Sequence, residues 1–379
     1  IPFGRNDPLK KIVALTLACT TAMGLFLSGC AMEDDAAGSN SSSTGGQREV
    51  VVCGWGENID EDLFDLFEEE TGIKVIYQTA ESNEMMYSKV AMGGSGYDVI
   101  VPSDYMIAQM AEEGLLAELD FDNIPNFSLI ADRFKNLPYD PENLYSVPYT
   151  WGTLGLIYNP TLIGGDVDSW GALFDSQYAG KTAMIGNPRD ALATALMYLG
   201  YSINTDDADQ IQQAYQLIAD AKANGQYQGF FMDEIYDKME VGETALCTYY
   251  AGDYLSMYMN NPDLKYVVPK EGSNWFVDAM VVLKDAKHKT EAEEWINFIC
   301  STEASLRNMD FIWYASPNQE ALEQYPAYYV EQTGEKLPDE VYQVMAAPQE
   351  VLDQCEMYLN LPAETRTLYN DLWTQMGIE

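Results

Sequence analysis

Glu49-Val50-Val51-Val52-Cys53-Gly54-Trp55 is a short β-branched run, and it reads as a buried strand. The segments after it decide the fold. Asp60 to Thr71 carries Leu63, Phe64 and Phe67 at helical spacing, with Gly72 as a stop. Ile73 to Gln78 (IKVIYQ) reads as the next strand and Ser82 to Met92 as the next helix. Tyr97 to Pro102 (YDVIVP) is a third strand, succeeded by a helix from Tyr105 to Glu113 that Gly114 ends. The order β-α-β-α-β predicts a parallel sheet with helices on its faces. Sheets of that kind take ligands at the carboxyl ends of their strands. Trp55-Gly56-Glu57-Asn58 and Ser103-Asp104-Tyr105 both fall at such ends, so they are expected to converge on one edge.

Downstream, Trp151 to Tyr158 (WGTLGLIY) looks like a crossing strand into a second unit. Helices are predicted over Trp170–Tyr178, Arg189–Leu199, Ile211–Ala223 and Glu291–Cys300. Strands are predicted over Thr244–Tyr250, Tyr266–Pro269 and Ala279–Leu283. Two lobes joined by chain crossings, with a cleft between them, is the economical architecture. The 379 residues allow two or three domains, and an apolar share of 47% excludes global disorder.

Upstream of the first strand the chain changes character. Arg5, Lys10 and Lys11 precede the uncharged, mostly apolar stretch Ile12–Leu27, and Leu27-Ser28-Gly29-Cys30 closes it. Residues 1–29 therefore read as an export signal. The Leu-Ser-Gly-Cys box resembles that of bacterial lipoproteins, which implies a lipidated Cys30 and cleavage before it. The apolar run is shorter than a membrane span usually needs. Residues 31–48, rich in Gly, Ser and Asn, read as a flexible tether. An extracytoplasmic protein, held to the membrane by its lipid alone, is the expectation.

Sixty acidic residues against 20 basic ones give a formal net charge of −40. That balance argues against nucleic acid and against an anionic membrane surface as partners. It permits a cationic one, although most of the charge reads as a solvated surface. Glu68, Glu69 and Glu70 belong to that surface. The single histidine, His288, sits before a helix and is expected to be exposed. Cys53, Cys247, Cys300 and Cys355 are widely spaced, without a Cys-x-x-Cys, so no metal site is expected and four buried free thiols are the default.

Five segments, in order, carry a family resemblance. They are TGIKVIYQTAESNEMMYSKV at 71–90, YDVIVPSDY at 97–105, YSVPYTWG at 145–152, VVPKEG at 267–272 and WYASPN at 313–318. The sequence resembles the spermidine/putrescine-binding proteins of polyamine ABC transporters, over about 330 residues from Glu49 onward. The resemblance implies a two-lobed α/β fold of the periplasmic-binding-protein type II class, with parallel-rich sheets flanked by helices and a hinge beside a central cleft. It places residues 49–153 and 279–320 in one lobe and 154–278 and 321–379 in the other. It further implies a monomer that needs no cofactor, is no enzyme, and passes its ligand to permease subunits.

A linear polyamine is two or more ammonium groups on a methylene chain. Each buried nitrogen needs a carboxylate or several oxygen acceptors. The chain between them wants apolar walls, and aromatic faces add cation–π attraction of about 0.5–2 kcal/mol each. Trp55 and Glu57 sit where the resemblance places an aromatic and an acid. Asn58 stands where a tyrosine is common, and Ser103 and Tyr105 match contact positions. Asn187 and Asp190 match a pair of acids, of which only the second is an acid here. Tyr250 matches a Trp, with Asp253 three residues on. Phe276 matches a stacking aromatic, though Trp275 is adjacent and a slip of one residue is open. Asp278 matches the central carboxylate, Tyr314 an aromatic, and Tyr358 falls near an amide position. Another organic cation or a small peptide is the alternative ligand. A surface glycosidase with paired carboxylates is the alternative class, for which no hydrolase signature is present.

Overall fold

The computed structural model describes residues 47–56 and 58–378. The signal and lipid-box readings (1–30), most of the tether and Glu57 lie outside the described residues. Arg48 already belongs to the first strand, where it pairs with Glu291 at 3.0 Å and with Glu294, so the tether ends before it.

Among the described residues ten strands are formed. In chain order they are β1 Arg48–Gly54, β2 Ile73–Thr79, β3 Val99–Ile100, β4 Ser146–Tyr158, β5 Thr182–Ile185, β6 Tyr227–Phe231, β7 Leu246–Tyr250, β8 Lys265–Val267, β9 Ser273–Val282 and β10 Cys355–Glu356. Along the sheet the order is β2-β1-β3-β9-β4-β7-β5-β6, with β8 on β4 and β10 on β9. β1 runs parallel to both β2 and β3, as the opening β-α-β-α-β pattern requires. β5 is parallel to β6 and β7. The pairings of β9 with β3 and β4, and of β4 with β7 and β8, are antiparallel. With β10 parallel to β9, five pairings among the described residues are parallel and four antiparallel, so the sheet is mixed and parallel-rich. The antiparallel members are the long strands that the chain uses to cross.

β4 is the spine. All thirteen of its residues are buried. Ser146 to Thr153 pair with β9, and Leu154 to Tyr158 pair with β7. One continuous strand thus serves the β2-β1-β3-β9 half of the sheet and then the β7-β5-β6 half. β9 accompanies it and carries residues 275–278 along the seam.

Local rules account for most elements. The helix Asp62–Thr71 buries Leu63 and Phe67 and stops at Gly72, whose φ of 71° is left-handed and suits glycine. Phe67 meets the Trp295 ring edge-on at 5.1 Å, which docks this helix on the helix Lys289–Ile299.

Several expectations need correction. Trp170–Tyr178 is not one helix but two 3₁₀ turns, Trp170–Leu173 and Ser176–Tyr178. Ser169 caps the first through Gly171 N and Asp175 the second through Gln177 N, so two local caps divide the segment. β6, β10 and the C-terminal helices Gln319–Thr333, Asp339–Met345 and Ala363–Met376 were not anticipated. His288 is half-buried rather than exposed, because Nδ1 lies 2.9 Å from the buried Asp98 carboxylate. Cys53, Cys247, Cys300 and Cys355 are all free, but Cys355 is only partly buried, since it lies on the short β10 at the edge of the sheet. Among the described residues no helix is long and apolar enough to cross a membrane.

Candidate ligand-binding site

Trp55 comes directly after β1, Ser103 and Tyr105 come after β3, and Asp278 lies in β9 between β3 and β4. The sheet order alone brings these ends together, and the side chains complete the approach. Trp55 Nε1 donates to Asp278 Oδ2 at 3.1 Å. Ser103 stands directly across from Asp278 in an isolated antiparallel bridge. Asp278 is 7% exposed, yet its Oδ1 has no hydrogen-bond partner among the described residues. Burial pushes this carboxyl up to about 6, even though the Ser103 hydroxyl and the Trp55 indole pull the other way. A buried carboxylate oxygen without a donor is what an incoming ammonium would satisfy.

Asp190 is at the start of the helix Pro188–Tyr198, and Asn187 caps that helix, accepting from Arg189 N at 2.8 Å and Asp190 N at 3.3 Å. The Asn187 carbonyl oxygen is therefore spent on the cap. Asp190 is buried and clamped by two phenols: Tyr250 donates to Oδ2 at 2.6 Å and Tyr358 to Oδ1 at 2.8 Å. Burial raises its carboxyl, and the two hydroxyls and the Arg189 charge oppose that rise. Asp253 is held in the same way, by Tyr314 at 2.8 Å and by Tyr236. Tyr105 donates to Glu84 Oε1 at 3.1 Å. Tyr105, Tyr250, Tyr314 and Tyr358 each direct their proton to a carboxylate. Their oxygens are left as acceptors, and burial keeps all four protonated by pushing the phenols well above their usual range.

Phe276 ties these groups together. Its ring meets Tyr250 at 5.4 Å and Tyr314 at 6.3 Å. Trp275 points the other way, toward Phe134 at 6.5 Å, as strand alternation demands. Phe276 therefore lies on the face that carries Tyr250 and Tyr314, and Asp278, two residues on, shares it. Gly252 makes room for Tyr314, because a Cβ there would overlap the ring. A Gly252→Ala variant is accordingly expected to displace Tyr314 from Asp253 and to cost about 1–3 kcal/mol of stability. Thermal melting and Tyr314-sensitive ligand titration check it, and an unchanged protein would refute the packing role.

Of the sequence-expected residues, Trp55, Ser103 and Asp278 meet directly. Tyr105, Asp190, Tyr250 and Tyr358 form a second group, and Asp253 with Tyr314 a third, both reached through Phe276 or Tyr358. Asn187 takes part as a cap. Asn58 is fixed through its carbonyl, which accepts from Tyr149 at 2.5 Å. Sequence reasoning missed Glu84, Tyr236 and Asp104. Asp104 is wholly buried between Ser103 and Tyr105, with Oδ2 unpartnered among the described residues. Burial, and after it the nearby Asp278 charge, raise its carboxyl well above the usual range. Its only signal in the sequence was its place between two expected contacts. Among the described residues, no group of three or more His, Cys, Asp or Glu side chains is arranged to hold a metal.

Comparison with known proteins gives this geometry a setting. A family model for the bacterial extracellular solute-binding proteins matches residues 62–332. The chain belongs to that family. Within it, the spermidine/putrescine-binding periplasmic protein of Escherichia coli is 32% identical over 285 residues, 75% of this chain and 81% of the relative. A solved structure from Listeria monocytogenes, of a protein assigned to spermidine/putrescine ABC transport, superposes with a TM-score of 0.80 at 35% identity, covering 87% of this chain and 99% of that one. The Tp0655 lipoprotein of Treponema pallidum shares the fold at 23% identity and a TM-score of 0.76, over 86% and 99% of the two chains. Solute-binding proteins of this family hold a ligand outside the cytoplasm and do not transform it, which answers the glycosidase alternative.

Proposed function

We propose that this solute-binding protein takes a linear polyamine, putrescine or spermidine, and delivers it to an ABC permease. One observation carries the reading: among the described residues the buried Asp278 carboxylate has an oxygen with no hydrogen-bond partner, and the tyrosines reached through the nearby Phe276 ring keep hydroxyl oxygens as acceptors. An ammonium group has donors only, and a methylene chain wants ring faces, so the ligand supplies what the site lacks. Asp278 and Trp55 seat one ammonium, Phe276 and Tyr250 wall the methylenes, and Asp190 and Asp253 attract a further ammonium through their tyrosine hydroxyls. Glu57, two residues after Trp55 in the sequence, adds a further acid to that segment.

The Phe276 ring contacts both Tyr250 and Tyr314, so the ligand parts them on entry. A division into lobes 49–153 plus 279–320 and 154–278 plus 321–379 allows that parting by rotation about the crossing strands. Export by residues 1–29 and a lipid on Cys30 keep the carrier at the membrane, where a monomer meets its permease.

Calorimetric titration with putrescine and spermidine tests the reading. A dissociation constant of micromolar order, about −8 kcal/mol, is expected for at least one of them. No heat and no thermal shift with either would overturn it.

A further inference from the structure

We propose that Glu84 is a specificity-determining residue of this site, supplying at the rim the carboxylate that position 187 lacks and so favouring a triamine over a diamine. The inference rests on the polyamine reading above. Glu84 is the second residue of the helix Asn83–Ala91. That helix start is fastened to the site: Asn83 accepts from Ser103 N at 3.0 Å and donates to Ser103 Oγ at 3.1 Å. The same Ser103 bridges to Asp278, whose buried Oδ1 is unpartnered among the described residues. Glu84 therefore stands in a fixed relation to the central carboxylate.

Its own contacts lead into the second group of site residues. Tyr105 donates to Glu84 Oε1 at 3.1 Å. The Tyr105 ring meets Tyr358 edge-on at 6.0 Å, and Tyr358 donates to Asp190. Glu84, Tyr105, Tyr358 and Asp190 thus form a continuous line of contacts through oxygens and ring faces. Asp190 is a muted anion on that line. Both its oxygens are covered by phenols, and the adjacent Arg189 guanidinium lies 4.5 Å over the Tyr358 ring. Asn187 has an amide where a second acid would add charge, and its oxygen is used as a cap. Glu84 is exposed, and no Lys or Arg pairs with it among the described residues. Of the two carboxylates on the line, it is the one left to meet a third ammonium. A diamine seated on Asp278 is shorter and depends on Glu84 less.

The experiment is a titration of Glu84→Gln and of the double variant Glu84→Gln with Asn187→Asp, each against putrescine and spermidine, with melting temperatures alongside. The single variant is expected to melt with the parent and to lose about 5–10-fold in spermidine affinity, with putrescine changed by less than about 2-fold. The loss shrinks in high salt, as a rim charge should. The double variant regains most of the spermidine affinity. Equal losses for both ligands, no loss, or no recovery in the double variant would overturn the role of Glu84, whether or not the melting temperature moves. A parent protein that binds neither amine sinks the polyamine reading as well. A parent that binds both, with a preference Glu84→Gln leaves intact, sinks this inference alone.

Discussion

An Asp278→Asn variant is expected to bind polyamine about 100-fold more weakly than the parent, and yet to melt higher without ligand. Removing the charged partner of a buried ammonium costs about 2–5 kcal/mol, and about 3 kcal/mol is a factor of 100 or more. The stability gain has a separate origin. Burial lifts this carboxyl to about 6 in the folded chain, from about 3.9 in an unfolded one. An acid raised on folding contributes stability that is complete below its unfolded value and is lost as pH climbs through the folded one. At pH 7.5 the ligand-free protein therefore carries a buried charge at a cost of up to about 2–3 kcal/mol. An isosteric amide removes that cost, and should raise the melting temperature by about 2–5 °C. Ligand binding reverses the preference, because an ammonium favours the ionised carboxylate. Affinity should then fall as pH drops through about 6, by up to tenfold per unit, and Asp278→Asn should flatten that part of the profile. A variant that binds normally, or an affinity that does not change between pH 7.5 and 5, would remove Asp278 from the centre of the site.

The same residue shows how far the sequence could be read. The candidacy of Asp278 is legible from the ligand chemistry and the family pattern. The approach of Trp55 and Ser103 to it is legible from β-α-β-α-β order, since parallel strands bring their carboxyl ends to one edge. Local periodicity carries that order. The proton assignments are not local. Which of 26 tyrosines gives its hydroxyl to Asp190, Asp253 or Glu84 is decided by contacts such as Tyr358 to Asp190, 168 residues apart. Glu84 looks like any acid in the first turn of a helix, and only the hydrogen bond from Tyr105 distinguishes it. β10 is a similar case. Its two residues form a strand solely because Ser273 and Asn274 lie beside them. Trp170–Tyr178 failed for the opposite reason: its apolar content suggested one helix, while two short-range caps made two turns.

Phe276 and Trp275 make the sharpest remaining comparison, because they are chain neighbours of similar chemistry on opposite faces of β9. Phe276→Ala should weaken polyamine binding by about 30–100-fold. It removes the ring that links Tyr250 to Tyr314, together with the hydrophobic wall and cation–π face for the ligand's methylene and ammonium groups. Both rings are half-buried, and its stability cost should be the smaller of the two because a phenyl ring removes less apolar surface than an indole. Trp275→Ala strips a ring from the other face, where it packs toward Phe134, itself 5.3 Å from the Trp151 ring. That change should cost about 2–4 kcal/mol of stability and leave affinity within a few-fold. Urea unfolding and calorimetry on the two variants separate the effects. If the losses are exchanged, with Trp275→Ala abolishing binding and Phe276→Ala merely loosening the fold, then the ligand lies on the opposite face of β9. The acceptors gathered around Tyr250 and Tyr314 would then serve the fold and not the ligand.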